Sequence, residues 1–444
     1  MIPAGFEAAA VDGLGGSRWL ALRRQDALER AAKADLPSEA DEEWHYSNVQ
    51  SLELDRLVPA AGPAEAPATL PSAAASLVSA LGPLAALVVT VDGAVVERRV
   101  EEGVALQIST LATAPEAPEC LPAVADGADA LSLLAEASVR DGAHLVVAAG
   151  AAVEAPIVLV HVVTAAATDR LVAPRTLVEV GRSAEATVVE VLVSGDHPVL
   201  VAPTTELRVG ANGSLTHLSV QELGRQADQL ASQRATLERD ASLVSFVAAL
   251  GGATARQRTH AVLAGEGAES RLFAVYLADG HQVVSFRTVQ EHVAPRTVSE
   301  LVFKGAVAGE ARSAYSGLVH LHHGARKADA SQTNRNLVLS EGARADSVPN
   351  LEIEENDVRC SHASAVGPID AEQRFYLETR GVPPTAAERL VLLGFFEEIL
   401  SRAPEPAFAA HVRDGLPARL AAATGGTPAV AGSGVAGRPS TGAP

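Results

Sequence analysis

Thr176-Leu-Val-Glu-Val180, Gly181-Arg-Ser-Ala184, Ala186-Thr-Val-Val-Glu-Val-Leu-Val193, Thr205-Glu-Leu-Arg-Val209 and Gly210-Ala-Asn-Gly-Ser214 lead into Ser214-Leu-Thr-His-Leu-Ser-Val220. Short runs of Val, Leu and Thr alternate with polar residues, the period of a strand with one face buried. Gly, Asn, Asp and Ser punctuate them, the residues of tight turns. Similar turn clusters follow at Asp240-Ala-Ser, Gly265-Glu-Gly-Ala, Gly309-Glu-Ala-Arg, Gly324-Ala-Arg and Gly342-Ala-Arg. The first three clusters (Gly181, Gly210, Asp240) are roughly 30 residues apart and the later spacings are uneven. Recurrence on that length is the mark of stacked repeats. No helix-period segment is read between about 85 and 365, which argues against alternating strands and helices. The expectation is a mainly β chain with a β-solenoid at its centre, one coil per one or two turn clusters. A large β-sandwich is the alternative that the pattern leaves open.

Outward from that region the texture changes. Ser17 to Ala34 is rich in Ala, Leu, Arg and Glu and reads as a helix ended by Pro37. Residues 57–78 are Ala/Pro-rich and read as a loose connection. His144 to Thr168 is nearly all Val, Ala, Leu and Ile, but Gly150, Glu154, Pro156 and His161 break it. Its β-branched content suits two buried strands better than one membrane helix. After Pro368, Asp370 with Gln373 resembles an N-capping pair, and Gly381 closes that helix. Thr385 with Glu388 reads as a capping box opening the helix through Leu390 to Arg402. That helix is apolar on two faces, with Leu390, Leu393, Phe396 and Leu400 on one and Val391, Phe395 and Ile399 on the other. The expected division is 1–84 helical with a linker, 85–367 solenoid, 368–418 helical and 419–444 disordered.

Bulk numbers exclude several classes. With 35 Lys+Arg against 54 Asp+Glu the formal charge is −19, which opposes nucleic acid and anionic membrane as partners. Two cysteines, Cys120 and Cys360, exclude a disulfide framework and suit a reduced, cytoplasmic compartment. No basic stretch followed by an apolar one opens the chain as a secretory signal would. No G-x-x-x-x-G-K-[ST] is present. Gly432-Ser-Gly-Val-Ala-Gly437 matches G-x-G-x-x-G, but it lies in a low-complexity tail without a flanking strand, so no dinucleotide site is read there. Asn212-Gly-Ser is read as a turn.

Residues 315–381 carry the most specific string. It runs from Tyr315-Ser-Gly through Lys327-Ala-Asp-Ala-Ser-Gln-Thr-Asn-Arg-Asn-Leu-Val-Leu-Ser340 to Pro349-Asn-Leu-Glu-Ile-Glu354. Asp357-Val-Arg-Cys-Ser-His362 and Asp370-Ala-Glu-Gln-Arg-Phe-Tyr-Leu-Glu-Thr-Arg-Gly381 follow. Together with Pro295-Arg-Thr-Val-Ser-Glu-Leu-Val-Phe-Lys-Gly305, and a weaker echo at Glu42-Glu-Trp-His-Tyr-Ser47, it closely resembles the SufB/SufD family of iron–sulfur cluster assembly scaffolds. The strong likeness covers roughly 270–400. SufB-like chains carry a glutamate directly after the matching histidine and tend to have more cysteines. Ala363 stands at that position here, so the likeness is to the SufD branch.

The resemblance implies a right-handed parallel β-helix with helical N- and C-terminal units. It also implies a non-catalytic scaffold that pairs with a SufB-like homologue and docks a SufC-like ABC-type ATPase through its C-terminal helices. Leu393, Phe395 and Phe396 are the residues expected to dock it, with simple packing on the β-helix as the alternative. Cys360 and His362 fall on the family's subunit-interface positions, where a transient cluster is thought to form. Two apart on a strand, they face the same way, and thiol and imidazole suit iron and sulfide. Alone, such a pair reads more often as structural. One Cys and one His cannot hold a cluster, so a partner must complete the site. His320, His322 and His323 could offer nitrogen ligands, but no third ligand type lies at a useful sequence spacing. His292 is given no role. The competing functions are a β-helix polysaccharide lyase or hydrolase, disfavoured by an aromatic content of 3%, and a reduced-flavin-binding subunit. Complexes of the family are linked to flavin, but no flavin motif is recognisable here.

Overall fold

The computed structural model describes residues 3–41, 44–45, 47–62, 64–122 and 129–423. The expected disordered tail is corrected at its start, because 419–423 are the last residues of a helix with Leu420 buried. Residues 424–444, including Gly432–Gly437, lie outside the described residues, as do Glu42, Glu43 and Tyr46 of the N-terminal echo. The centre is a parallel β-solenoid of about eight coils. Each coil contributes one strand to each of two facing sheets. In the first sheet Thr254 stands opposite Val283 and Val283 opposite Arg312, a step of 29 residues each time. In the second, Glu269 stands opposite Val298 at the same step. The strands anticipated around 176–220 are Arg175–Val180, Glu185–Ser194, Thr204–Val209 and Ser214–Glu222. The Val/Ala-rich stretch supplies two strands, Ala143–Val147 and Ile157–Val163, one in each sheet.

The corners explain the turn chemistry. Ser183, Asn212, Asp240, Gly267, Arg296 and Lys327 all have positive φ, and each sits where the chain passes from the first sheet to the second. The corners also stack: Ser183 N donates to Ala211 O at 2.9 Å, Asn212 N to Arg239 O at 2.8 Å, and Arg296 N to Arg326 O at 2.8 Å. Each left-handed residue thus directs its N–H to the next coil, which repays its conformational strain. Gly309 and Gly342 lie at the opposite corner, so the uneven later spacings come from two interleaved corner series.

Seven helices lie among the described residues: α1 Ala8–Asp12, α2 Arg18–Ala31, α3 Ser72–Ala80, α4 Ala130–Ala137, α5 Ala371–Thr379, α6 Pro384–Leu400 and α7 Pro406–Ala423. Three further readings of the sequence are corrected. First, the 85–365 region is not free of helix: Asp129 caps α4 by accepting from Ser132 N, and α4 buries Leu131, Leu133 and Leu134 against α2 and its surroundings. Second, the Ala/Pro-rich segment 57–78 runs into α3, whose Ala74 and Leu77 are fully buried on the second sheet. Third, α6 is opened by Pro384 after Pro383, with no side-chain cap, rather than by a Thr385–Glu388 box. Proline at the first helical position needs no N–H partner and presets φ.

α3, α6 and α7 cover the outer face of the second sheet. Phe246, Phe273, Phe396 and Phe408 meet there, with the Phe246 and Phe408 rings 5.6 Å apart and edge-on. Strands such as Glu269–Ala278 are therefore buried on both faces and lose the clean alternation of the first sheet. Inside the solenoid, Tyr276, Phe286, Phe303 and Tyr315 stack through successive coils. Gly305 is the register partner of Tyr276, and a Cβ there would overlap its ring.

The two ends differ. Antiparallel strands Ala94–Val100 and Leu106–Thr110 close the first coil's sheets. At the other end, Arg344–Ile353 and Arg359–Gly367 are the last strands of their sheets. Val348, Ile353 and Val366 there are 42%, 48% and 45% exposed.

Candidate functional site

The open end carries the Cys-x-His pair. On Arg359–Gly367, Cys360 stands opposite Ala330, His362 opposite Gln332, Ser364 opposite Asn334 and Val366 opposite Asn336. Those four partners point into the solenoid and are buried. Cys360, His362, Ser364 and Val366 therefore occupy the inward-facing column of a final coil that nothing covers among the described residues. Cys360 is half-buried against Leu321, Ala325 and Ala330, whereas His362 is exposed. Burial, reinforced by the Asp329 carboxylate, pushes the Cys360 thiol up from its ordinary value. The thiol is held protonated at neutral pH, and a bound metal would be needed to make it a thiolate. Successive inward side chains on one strand are about 7 Å apart at their bases, so the two groups can converge on one object.

The layer beneath is polar. Asn336 donates to Asn334 Oδ1 at 2.7 Å, Asn334 to the Tyr276 hydroxyl at 3.1 Å, and that hydroxyl to Asn336 Oδ1 at 2.6 Å. The Gln332 side-chain amide is buried with neither its nitrogen nor its oxygen hydrogen-bonded. His292 is fully buried between Thr297 Oγ1 and Ser299 Oγ, each 2.8 Å away. Burial lowers it to about 4, so it is a neutral structural imidazole. Deeper in, Glu190 lies 2.9 Å from His217 Nε2 and accepts from Thr205 Oγ1 at 2.9 Å. Burial opposes its charge, but contacts from His161 and His217 outweigh that and hold it well below the usual carboxylate range.

The residues anticipated for docking divide. Phe396 is fully buried in the core beneath α6, and Leu393 and Phe395 are only partly buried beside it. Lys304 Nζ lies 4.5 Å from the Phe395 ring centroid and donates to the Phe395 carbonyl at 3.1 Å, which ties this turn of α6 to the second sheet. The accessible surface is instead made by Phe375, Tyr376 and Leu390, exposed by 66%, 58% and 50%. The sequence signal for it was two adjacent aromatics in the otherwise polar α5, whose N-terminus Asp370 caps by accepting from Glu372 N and Gln373 N.

The histidine cluster also differs from its sequence reading. Glu291, Glu352 and Glu354 come alongside His320 and His322, supplying the third ligand type that linear spacing had hidden. Cys120, outside the motif, stands with His144 and Glu179, its sulfur 3.7 Å from His144 Nε2. The aromatic residues of the solenoid, Phe246, Phe273, Tyr276, Phe286, Phe303 and Tyr315, are all buried and cannot stack on a sugar. No helix among the described residues is long and apolar enough to cross a membrane.

Comparison with known proteins gives the same direction. The family described as "SUF system FeS cluster assembly, SufBD core domain" matches residues 162–395. An iron–sulfur cluster assembly SufBD family protein of Mycobacterium leprae is 37% identical over 213 residues, 46% of this chain and 54% of that protein. The iron–sulfur cluster assembly protein SufD of Escherichia coli is 28% identical over 380 residues, 84% of this chain and 87% of its own. SufD of Bacillus subtilis is 31% identical over 278 residues, covering 62% and 63%. The chain thus spans about half the length of the mycobacterial relative and most of the E. coli one. With its matched segment running through the solenoid coils and into α6, this chain belongs to the SufBD family of iron–sulfur cluster assembly proteins.

Proposed function

We propose that the protein is a non-catalytic scaffold subunit that builds a cluster at a shared interface, with the cluster as cargo. The observation that carries this is the uncovered last coil, with Cys360 and His362 on its inward column. Exposed edges of two parallel sheets pair readily with another chain of the same architecture. A SufB-like homologue docking there would bury Val348, Ile353 and Val366 and bring its own ligands toward Cys360 and His362. Two protein ligands fall short of the four a stable cluster takes, so assembly waits on the partner. A SufC-like ABC-type ATPase would dock on α5 and α6 through Phe375, Tyr376 and Leu390, with Leu393 and Phe395 behind them and Phe396 as the packing anchor. α6 also packs on the second sheet, so force applied to the helices would reach the solenoid.

The test is coexpression of the tagged chain with SufB-like and SufC-like subunits, followed by subunit identification and iron and sulfide assay. A complex containing all three and holding both elements is expected. A chain that purifies alone, with no iron or sulfide after reconstitution with those subunits, would overturn the reading.

A further inference from the structure

The coil repeat stacks chemistry on the outer face of the first sheet that the linear sequence keeps far apart. Glu291 is the register partner of His320, and His320 is the register partner of Glu352. Neighbouring strands are about 4.8 Å apart, so these side chains from three successive coils stand in one row. His322 lies just beyond the strand, its ring against that of His320 with centroids 3.7 Å apart and planes tilted by 38°. Ligand atoms of Glu291, His320 and His322 all lie within 4.8 Å of one another, and so do those of His320, Glu352 and Glu354.

The polar bonding around this row is incomplete. His320 Nε2 is buried and has no hydrogen-bond partner. The Glu354 carboxylate oxygen is 3.6 Å from it, beyond hydrogen-bonding distance. An unpaired buried ring nitrogen is a destabilising feature for a cluster whose only purpose is packing. A cation between the imidazoles and carboxylates would take up the nitrogen lone pairs and the negative charge together. On the far side, His260 Nε2 stands 3.2 Å from Glu291 Oε2 but likewise makes no hydrogen bond, so the bonding is incomplete there too.

We propose that Glu291, His320 and His322, with Glu352 or Glu354 completing the set, bind one divalent first-row transition ion. Two imidazoles and a carboxylate are borderline and hard donors, which suit Fe2+, Co2+ or Zn2+ and disfavour Ca2+, Mg2+ and Cu+. Such a set leaves coordination positions open to water or to a transferable ligand. The site uses neither Cys360 nor His362 and stands independently of the proposed scaffold role.

The test is titration of the untagged full-length chain, freed of metal, with Co2+ followed by visible absorption. Zn2+ is measured in parallel by competition with a chromophoric chelator. A His144→Ala background removes the Cys120–His144–Glu179 cluster from contention. One ion per chain is expected in that background. His320→Ala and His322→Ala should each weaken binding by about tenfold or more, the order seen when a metal's coordinating environment is disturbed. Glu291→Gln keeps the shape and should weaken it as well, and His281→Ala, at an exposed histidine outside the row, should leave it unchanged. Circular dichroism checks the fold, and if the alanine variants unfold, the isosteric Glu291→Gln decides. Undiminished affinity in Glu291→Gln and in a folded His320→Ala/His322→Ala double variant, or no stoichiometric binding in the starting protein, would overturn the site.

Discussion

Cys360 is a poor nucleophile and a poor free ligand as it stands, because burial and Asp329 keep its proton on. That state would suit the proposed interface site, where a thiolate would form only on metal binding. Cys360→Ser or His362→Ala should therefore lower cluster absorbance on the reconstituted complex by about an order of magnitude while leaving its mass unchanged. Absorbance and mass are read on the same sample; normal absorbance in both variants would remove the pair from the site. Cys120→Ser should leave cluster yield alone. A second expectation concerns Glu206, raised to about 7 chiefly by burial, with Arg175 and Arg234 opposing. Its folded value lies above its unfolded one, so its contribution is intact below about pH 4.5 and is lost as pH rises through 7. Glu206→Gln should gain about 2 kcal/mol at pH 8 and nothing near pH 4.5, by urea unfolding. The full shift corresponds to roughly 3 kcal/mol, discounted because the carboxyl keeps some water. The Cys-x-His pair was legible in the sequence because two residues apart on a strand is a local relation. Glu291 and His320 were not, because their proximity exists only once the coil length sets the register.

Strands and corners were legible for the same local reason: period-two alternation and left-handed turn residues act within a few positions. Thr204–Val209 and Ser214–Glu222 begin within a residue of where the pattern places them. Helices α3 and α4 were missed because each is short and owes its stability to burial of a few side chains, Ala74 and Leu77 in one and Leu131, Leu133 and Leu134 in the other. Tertiary packing, not propensity, fixes such helices. The same distinction separates the two kinds of residue on the C-terminal helices. Phe396→Ala should cost about 3–5 kcal/mol in unfolding free energy, since it empties a filled core position under α6. Phe375→Ser with Tyr376→Ser should leave the unfolding midpoint nearly unchanged and weaken capture of a SufC-like ATPase in pull-down. Undiminished capture by that folded double variant would show α5 to be a solvent-facing helix and no more.

The asymmetry of the ends organises the molecule. Antiparallel strands close one end, and no equivalent covers the other among the described residues. A long exposed sheet edge is ordinarily blunted by charge or proline because it recruits other chains. The last coil has some of that protection, in Pro349 and Arg359, yet Val348, Ile353 and Val366 are each exposed on it. Inward-column apolar side chains left open, Ile353 and Val366, suit an edge that another coil covers. Val366 is on the inward column, four residues beyond His362, so a charge placed there would be buried by any partner coil stacked on it. Val366→Lys should accordingly weaken pairing with a SufB-like subunit by tenfold or more, because an unpaired charge at a buried position is strongly unfavourable. In the isolated chain the same lysine can reach water, so unfolding should be within about 0.5 kcal/mol of the starting protein. Sedimentation of the mixed subunits reads the first quantity and urea unfolding of the single chain reads the second. Unaltered pairing by a stably folded Val366→Lys chain would place the partner elsewhere on the solenoid and leave Cys360 and His362 facing solvent.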